Sequence, residues 1–144
     1  MADLDVPDLN VWLALTDPDH QHHARASHYW DHESLSGLAF CRVTMLGLLR
    51  LLTHPKVMSR NPFTISEAWE AYSAYAALPE IQFIEESLLA DQHFIRWTQQ
   101  PGFTATRWTD AWIASMAHAA NARVVSFDAD FSTVDGLRFL HLKP

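Results

Sequence analysis

A chain of 144 residues, 49% hydrophobic and 19% charged, has the size of one domain and a globular composition, which excludes disordered and fibrous classes. Its net charge of −7 argues against broad electrostatic binding of nucleic acid, which needs clustered Lys and Arg. It leaves room for a nucleic-acid enzyme whose positive charge comes from a divalent metal, and for a basic protein partner. The one cysteine, Cys41, cannot form an internal disulfide and reads as a small buried residue. No apolar run approaches the roughly 20 residues of a membrane span, and the acidic start carries no basic leader region. The expectation is a cytoplasmic protein with no membrane association.

Residues 4–9 predict a short strand, continued by a helix over 10–15 that Thr16-Asp17-Pro18-Asp19 breaks. Residues 20–30 predict a second helix, and the small apolar run 36–41 a second strand. Residues 44–53 form a helix that is apolar nearly all round, hence expected to be buried, and Pro55 ends it. An amphipathic helix follows over 66–78, with Thr64 or Ser66 as N-cap, then a strand over 81–84. Pro101-Gly102 stops a helix over 88–99. The helix over 109–121 puts Trp112, Ile113, Met116, Ala117 and Ala120 on one face, with Trp112 expected in the core. Residues 123–127 give the clearest strand, and 137–142 close the chain as an edge strand. Strands alternating with helices predict a single α/β domain spanning 1–144, with a mostly parallel central sheet of four to five strands.

Three aspartates share one kind of setting. Asp8 ends the first strand, Asp128 follows the strand 123–127, and Asp110 opens the helix 109–121. In open parallel sheets ligands bind beyond the carboxyl ends of the strands, so these residues can converge there, with Asp130 close enough to join them. Clustered carboxylates raise one another's pKa and persist mainly when a cation neutralises them. Oxygen donors favour Mg²⁺ or Mn²⁺ over Zn²⁺, and such an ion supports phosphodiester hydrolysis. Singly, each aspartate also fits a cap or turn role.

Four segments carry a family likeness. Residues 8–15 (DLNVWLAL) resemble the opening motif of PIN-domain proteins of the VapC toxin family. Residues 41–53 (CRVTMLGLLRLLT) resemble its second block, 109–114 (TDAWIA) the third, and 124–131 (VVSFDADF) the fourth, followed by Gly136-Leu137 and a terminal strand. The blocks stand in family order and span nearly the whole chain. The resemblance implies a three-layer α/β/α PIN-like fold and an endoribonuclease using Mg²⁺ or Mn²⁺. It also implies an RNA substrate, inhibition by a cognate VapB-like antitoxin, and often a homodimer. Asp8, Asp110 and Asp128 would be the catalytic and metal-binding carboxylates, with Asp130 as a fourth ligand. Asn10 and Ser126 would orient them. Apart from the resemblance, Arg50 at the end of the 44–53 helix suits a site carboxylate, an RNA phosphate or a structural ion pair equally. One departure stands out: Met45 occupies the position where many members carry a glutamate. It makes a second metal less expected and motivates the alternative of a weak or inactive protein-binding module.

Three further features carry less weight. His20, His22 and His23 lack a Cys, Asp or Glu partner for zinc, so a solvated face is the simpler reading. The Asp128-Ala129-Asp130 pair resembles a phosphatase motif, but it follows a late strand where that motif would follow the first. Trp12, Trp30, Trp69 and Trp97 are left open between core and surface, where an apolar groove for a partner helix would use them.

Overall fold

The computed structural model describes residues 3–58 and 61–144. In chain order it contains β1 (Leu4–Pro7), α1 (Leu9–Thr16), α2 (His23–His28) running into a π-helical turn (Tyr29–Glu33), β2 (Gly37–Phe40) and α3 (Arg42–Leu52). Then come α4 (Ile65–Ala76), β3 (Ile81–Phe83), α5 (Leu88–Thr98), α6 (Trp108–Ala119), β4 (Arg123–Ser126) and β5 (Arg138–His141). Short 3-10 turns, Ala105–Arg107 and Ala129–Thr133, precede α6 and β5.

The five strands form one sheet in the order β3-β2-β1-β4-β5, and every pairing is parallel. Successive side chains of a strand face opposite ways, so each strand feeds two cores. Leu38, Phe40 and Val125 pack with Val11 and Trp12 of α1, Leu48 and Leu52 of α3, and Ala68 of α4. On the other face Leu4, Val6, Ala39 and Val124 meet Ile113, Ala114 and Ala117 of α6, with Trp97 of α5 against them. The result is the expected three-layer α/β/α arrangement, with β5 at an edge.

Boundaries differ from expectation for local reasons. The first strand stops at Pro7, because Asp8 leaves the ladder to cap α1 and its carboxylate accepts the Leu9 N–H at 2.7 Å. Helix α2 starts at His23, not 20, since His20 Nδ1 accepts the His22 N–H at 3.0 Å and holds a turn there. Helix α3 is half-buried, not buried all round. Met45, Leu48 and Leu52 face the core, while Leu46 is 54% exposed and Arg50 lies in solvent. Trp112 is half-buried, its ring edge-on to Phe94 at 5.3 Å, because its neighbours Ile113, Met116 and Ala117 take the core-facing arc. Trp12 is fully buried and stacks on Phe40 at 3.9 Å, whereas Trp69 is largely exposed. Among the described residues no helix is long and apolar enough to cross a membrane.

Helix α6 turns directly into β4 and so runs antiparallel to the strands. Its end is a Schellman motif: the Ala122 N–H bonds the Ala117 carbonyl at 2.8 Å and the Asn121 N–H the His118 carbonyl at 3.0 Å. Asn121 supplies the left-handed residue, with φ of 53°. This reversal brings the first turn of α6, and Asp110 with it, over the carboxyl edge of the sheet.

Candidate active site

The site is built where β1 and β4 end side by side. Pro7 pairs with Val125, and the Asp8 N–H bonds the Val125 carbonyl at 2.7 Å. That register sets Asp8 beside Ser126, whose hydroxyl donates to Asp8 Oδ2 at 2.7 Å. The same hydroxyl oxygen accepts the Asp128 N–H at 2.9 Å and Asn10 Nδ2 at 3.2 Å. Asn10 Oδ1 in turn accepts the Phe127 N–H at 3.3 Å. Ser126 is therefore the hub that ties together the starts of two loops, and all its capacity is used. Asp8 is buried, and burial raises its pKa, with Asp128 adding to the rise against the lowering by Ser126 and the Leu9 N–H.

Asp110 is half-buried in the first turn of α6 and makes no side-chain hydrogen bond among the described residues. The N-capping role open to it from sequence falls instead to Arg107, whose side chain makes no capping bond. Burial and the charges of Asp8 and Asp128, with a smaller push from Asp130, raise the Asp110 carboxyl to about 6, while Arg107 opposes them. The four aspartates thus form one electrostatic group. Asp128 Oδ1 accepts the Asp130 N–H at 2.8 Å, a turn that places Asp130 in solvent. None of the four is in an ion pair among the described residues.

Two expected participants lie elsewhere. Arg50 is exposed on the last turn of α3, two turns past the edge where that helix starts, about 12 Å at 1.5 Å per residue. Its charge is not among those acting on Asp8 or Asp110. Met45 is buried in the α1–α3 core, and its sulfur accepts Arg42 Nη1 at 3.1 Å. The histidines of the 20–23 segment are engaged singly: His23 Nδ1 donates to the Ala14 carbonyl at 2.7 Å, and His22 stacks on Phe127 at 4.8 Å.

Sequence reasoning missed two features. Arg107 is the cation facing the carboxylates, and its Nη2 donates to the Asp130 carbonyl at 2.9 Å. Its position three residues before Asp110 was the available signal, since i and i+3 share a helix face. The second is Asp5, fully buried, which accepts Arg123 Nε and Nη2 at 2.7 and 2.9 Å, the Tyr29 hydroxyl at 2.6 Å and the Leu35 N–H at 3.1 Å. That carboxylate is satisfied and structural.

The PIN-domain profile matches residues 6–137. A relative from Mycobacterium tuberculosis, "Ribonuclease VapC41", is 34% identical over 140 residues, covering 90% of this chain and 92% of its own. The chain belongs to the PIN-domain family. Within that family the fold is also that of solved VapC structures. The M. tuberculosis VapC20 toxin, described as cleaving the sarcin-ricin loop, superposes with a TM-score of 0.74 at 16% identity over 97% of this chain and 99% of its own. VapBC2 from Rickettsia felis, solved with a DNA fragment of its promoter, gives 0.68 at 13% identity, over 97% of this chain and 99% of the matched one.

The divalent cation implied by a PIN domain suits this donor set. All candidate donors are carboxylate or amide oxygens, the hard ligands Mg²⁺ and Mn²⁺ prefer, and the mutual repulsion read at Asp110 is what a cation would relieve. Among the described residues no three His, Cys, Asp or Glu side chains stand close enough to enclose a metal by themselves. Enclosure is not what Mg²⁺ asks for. It commonly takes one or two carboxylates and fills its remaining positions with water and substrate phosphate.

Proposed function

We propose that this chain is a metal-dependent endoribonuclease, the toxin half of a toxin–antitoxin pair. One observation carries the reading: Asp8, Asp110 and Asp128, 102 and 18 positions apart in sequence, stand just past β1, in the first turn of α6 and just past the neighbouring β4, at one carboxyl edge of the sheet. Relatives named as ribonucleases support the activity, and weigh against a purely protein-binding module. Solved VapBC assemblies support a cognate antitoxin as partner. Cytoplasmic residence belongs to the same proposal.

In this reading one or two of Asp8, Asp110 and Asp128 would contact Mg²⁺ or Mn²⁺ directly, and the remaining carboxylates, with Asp130 on the adjacent turn, would hold it through its bound water. When bound, the ion supplies Lewis-acid polarisation of the phosphodiester and neutralises charge that develops in the transition state. The chain's own residues fix the geometry. Ser126 and the Leu9 N–H hold both oxygens of Asp8, leaving the outward lone pairs for a ligand. Asn10 keeps the Ser126 hydroxyl aimed at Asp8 and locks the turn leading to Asp128. Asp110 has no competing hydrogen-bond partner among the described residues. Met45 adds no carboxylate, which favours a single ion.

Asp8→Asn tests the reading. Cleavage of an RNA substrate in Mn²⁺ is expected to fall by at least about a hundredfold with an unchanged circular dichroism spectrum, the scale of losing a main electrostatic catalytic contact. A variant that folds and cuts at the parent rate contradicts the assignment.

A further inference from the structure

A cavity of about 600 Å³ opens directly from Asp110 and runs between α5, the segment 99–107 and the loop before β5. Its lining includes Arg96, Trp97, Phe103, Arg107, Asp110 and Asp135. We infer that this cavity holds the unpaired nucleotide flanking the scissile phosphate of a single-stranded RNA, with Arg107 and Arg96 on successive phosphates and Phe103 or Trp97 under the base. The inference rests on the ribonuclease reading and specifies where its substrate lies.

Charge and surface chemistry support it. The chain carries a net charge of −7 and only ten Lys and Arg, so most of its surface repels RNA. Arg25, Arg123 and Arg138 are spent on Glu33, Asp5 and Asp3. Arg96 and Arg107 enter no ion pair among the described residues and both face this cavity. Arg107 already acts on the Asp110 carboxylate while its Nη2 is anchored on the Asp130 carbonyl, so its charge is fixed beside the reacting position. Arg96 lies on the last turns of α5, and its guanidinium donates no hydrogen bond among the described residues. Phosphate recognition by a planar, always-charged guanidinium is the common use of such a residue.

The aromatic side chains are pre-positioned. Trp97 is half-buried, stacks on His93 at 5.3 Å and packs against the core on the α6 face of the sheet. Phe103 is half-buried, held edge-on by Trp108 at 4.9 Å. Bases that are splayed out of a single strand stack on such rings, whereas duplex RNA keeps its bases paired and presents only backbone and a shallow groove. Asp135 lies in the same lining, and its charge repels phosphate. The volume is that of a small-ligand pocket, so it admits a nucleotide and not a helix.

The test is fluorescence anisotropy with a labelled mixed-sequence oligoribonucleotide, on the Asp110→Asn chain so that binding is read without cleavage. Adding Arg96→Ala is expected to weaken binding about tenfold and to lower the slope of log K against log salt by about 0.7, one phosphate contact on a single strand. Arg96→Lys is expected to restore the slope. Phe103→Leu, which keeps the packing on Trp108, is expected to weaken binding about tenfold with the slope unchanged, as loss of one stacked base does. The same oligonucleotide annealed to its complement is expected to bind more weakly than the single strand. Variants that bind within twofold of the Asp110→Asn parent, or a duplex that binds as tightly as the single strand, overturn the proposal. Cleavage by the unsubstituted chain in Mn²⁺ judges the ribonuclease reading separately. Absent cleavage with the predicted binding pattern sinks the catalysis and leaves the groove, and normal cleavage with unaffected Arg96→Ala and Phe103→Leu does the reverse.

Discussion

Asp5 lies within β1 and Asp8 just past its end, three residues apart, and they serve opposite ends. Asp5 is enclosed by Arg123, Tyr29 and the Leu35 N–H, so its charge is matched where it stands. That enclosure also pushes the Tyr29 hydroxyl far above its ordinary range, by burial first and then by the Asp5 charge. Asp5→Ala strands a guanidinium and a phenol, and is expected to cost about 3–5 kcal/mol in urea unfolding; a loss under about 1 kcal/mol would show that the network contributes little to stability. Asp110 is the reverse case, a carboxyl raised to about 6 by burial and like charges. A raised acid contributes stability that is complete below its unfolded pKa and disappears as pH climbs through the folded value. In chelator, the melting temperature of Asp110→Asn should therefore exceed that of the parent by a margin that grows from about pH 4 to about pH 7. A margin that stays flat over that range would mean Asp110 does not feel its neighbours. Asp8, Asp110 and Asp128 were legible from where they fall relative to strand ends and a helix start. Asp5 was not, because its partners come from positions 29, 35 and 123, which no local pattern connects.

At the level of elements, periodicity marked the five strands and six α-helices of the described residues but not their ends, nor the short 3-10 and π-helical turns. Side-chain hydrogen bonds decide those ends: Asp8 stops β1 at Pro7, and His20 delays α2 to His23. The apolar run of α3 looked buried on all sides because Leu46 and Leu49 carry the same hydrophobicity as Leu48 and Leu52, and only packing tells which face the sheet. The turn from α6 into β4 controls how the first turn of α6 meets the sheet edge. Its left-handed residue is Asn121, a type that tolerates that conformation where β-branched residues do not. Asn121→Val should destabilise the fold by about 1–2 kcal/mol, while Asn121→Gly should be neutral or better; equal melting of the two variants would contradict the role given to this turn.

At the level of the whole molecule, the sheet order β3-β2-β1-β4-β5 puts the first strand at the centre, flanked by the second and fourth. This order makes neighbours of the Asp8 and Asp128 loops, and the alternation of strands and helices predicted a parallel sheet without specifying it. The family likeness supplied what alternation could not, since its four blocks fall on the strand ends and helix starts that line the edge. Arg107 and the cavity it shares with Arg96 were not legible because a chain of net charge −7 hides in its average two arginines that face one cavity. Catalysis in this reading depends on one cation shared among Asp8, Asp110 and Asp128. Calorimetric titration of the chelator-treated protein with Mn²⁺ measures this most directly. It should give one saturable site at millimolar metal or below, weakened at least about tenfold by Asp110→Asn, as loss of a ligating or orienting group typically is. No saturable binding, or equal affinity in the parent and in Asp110→Asn, would contradict it.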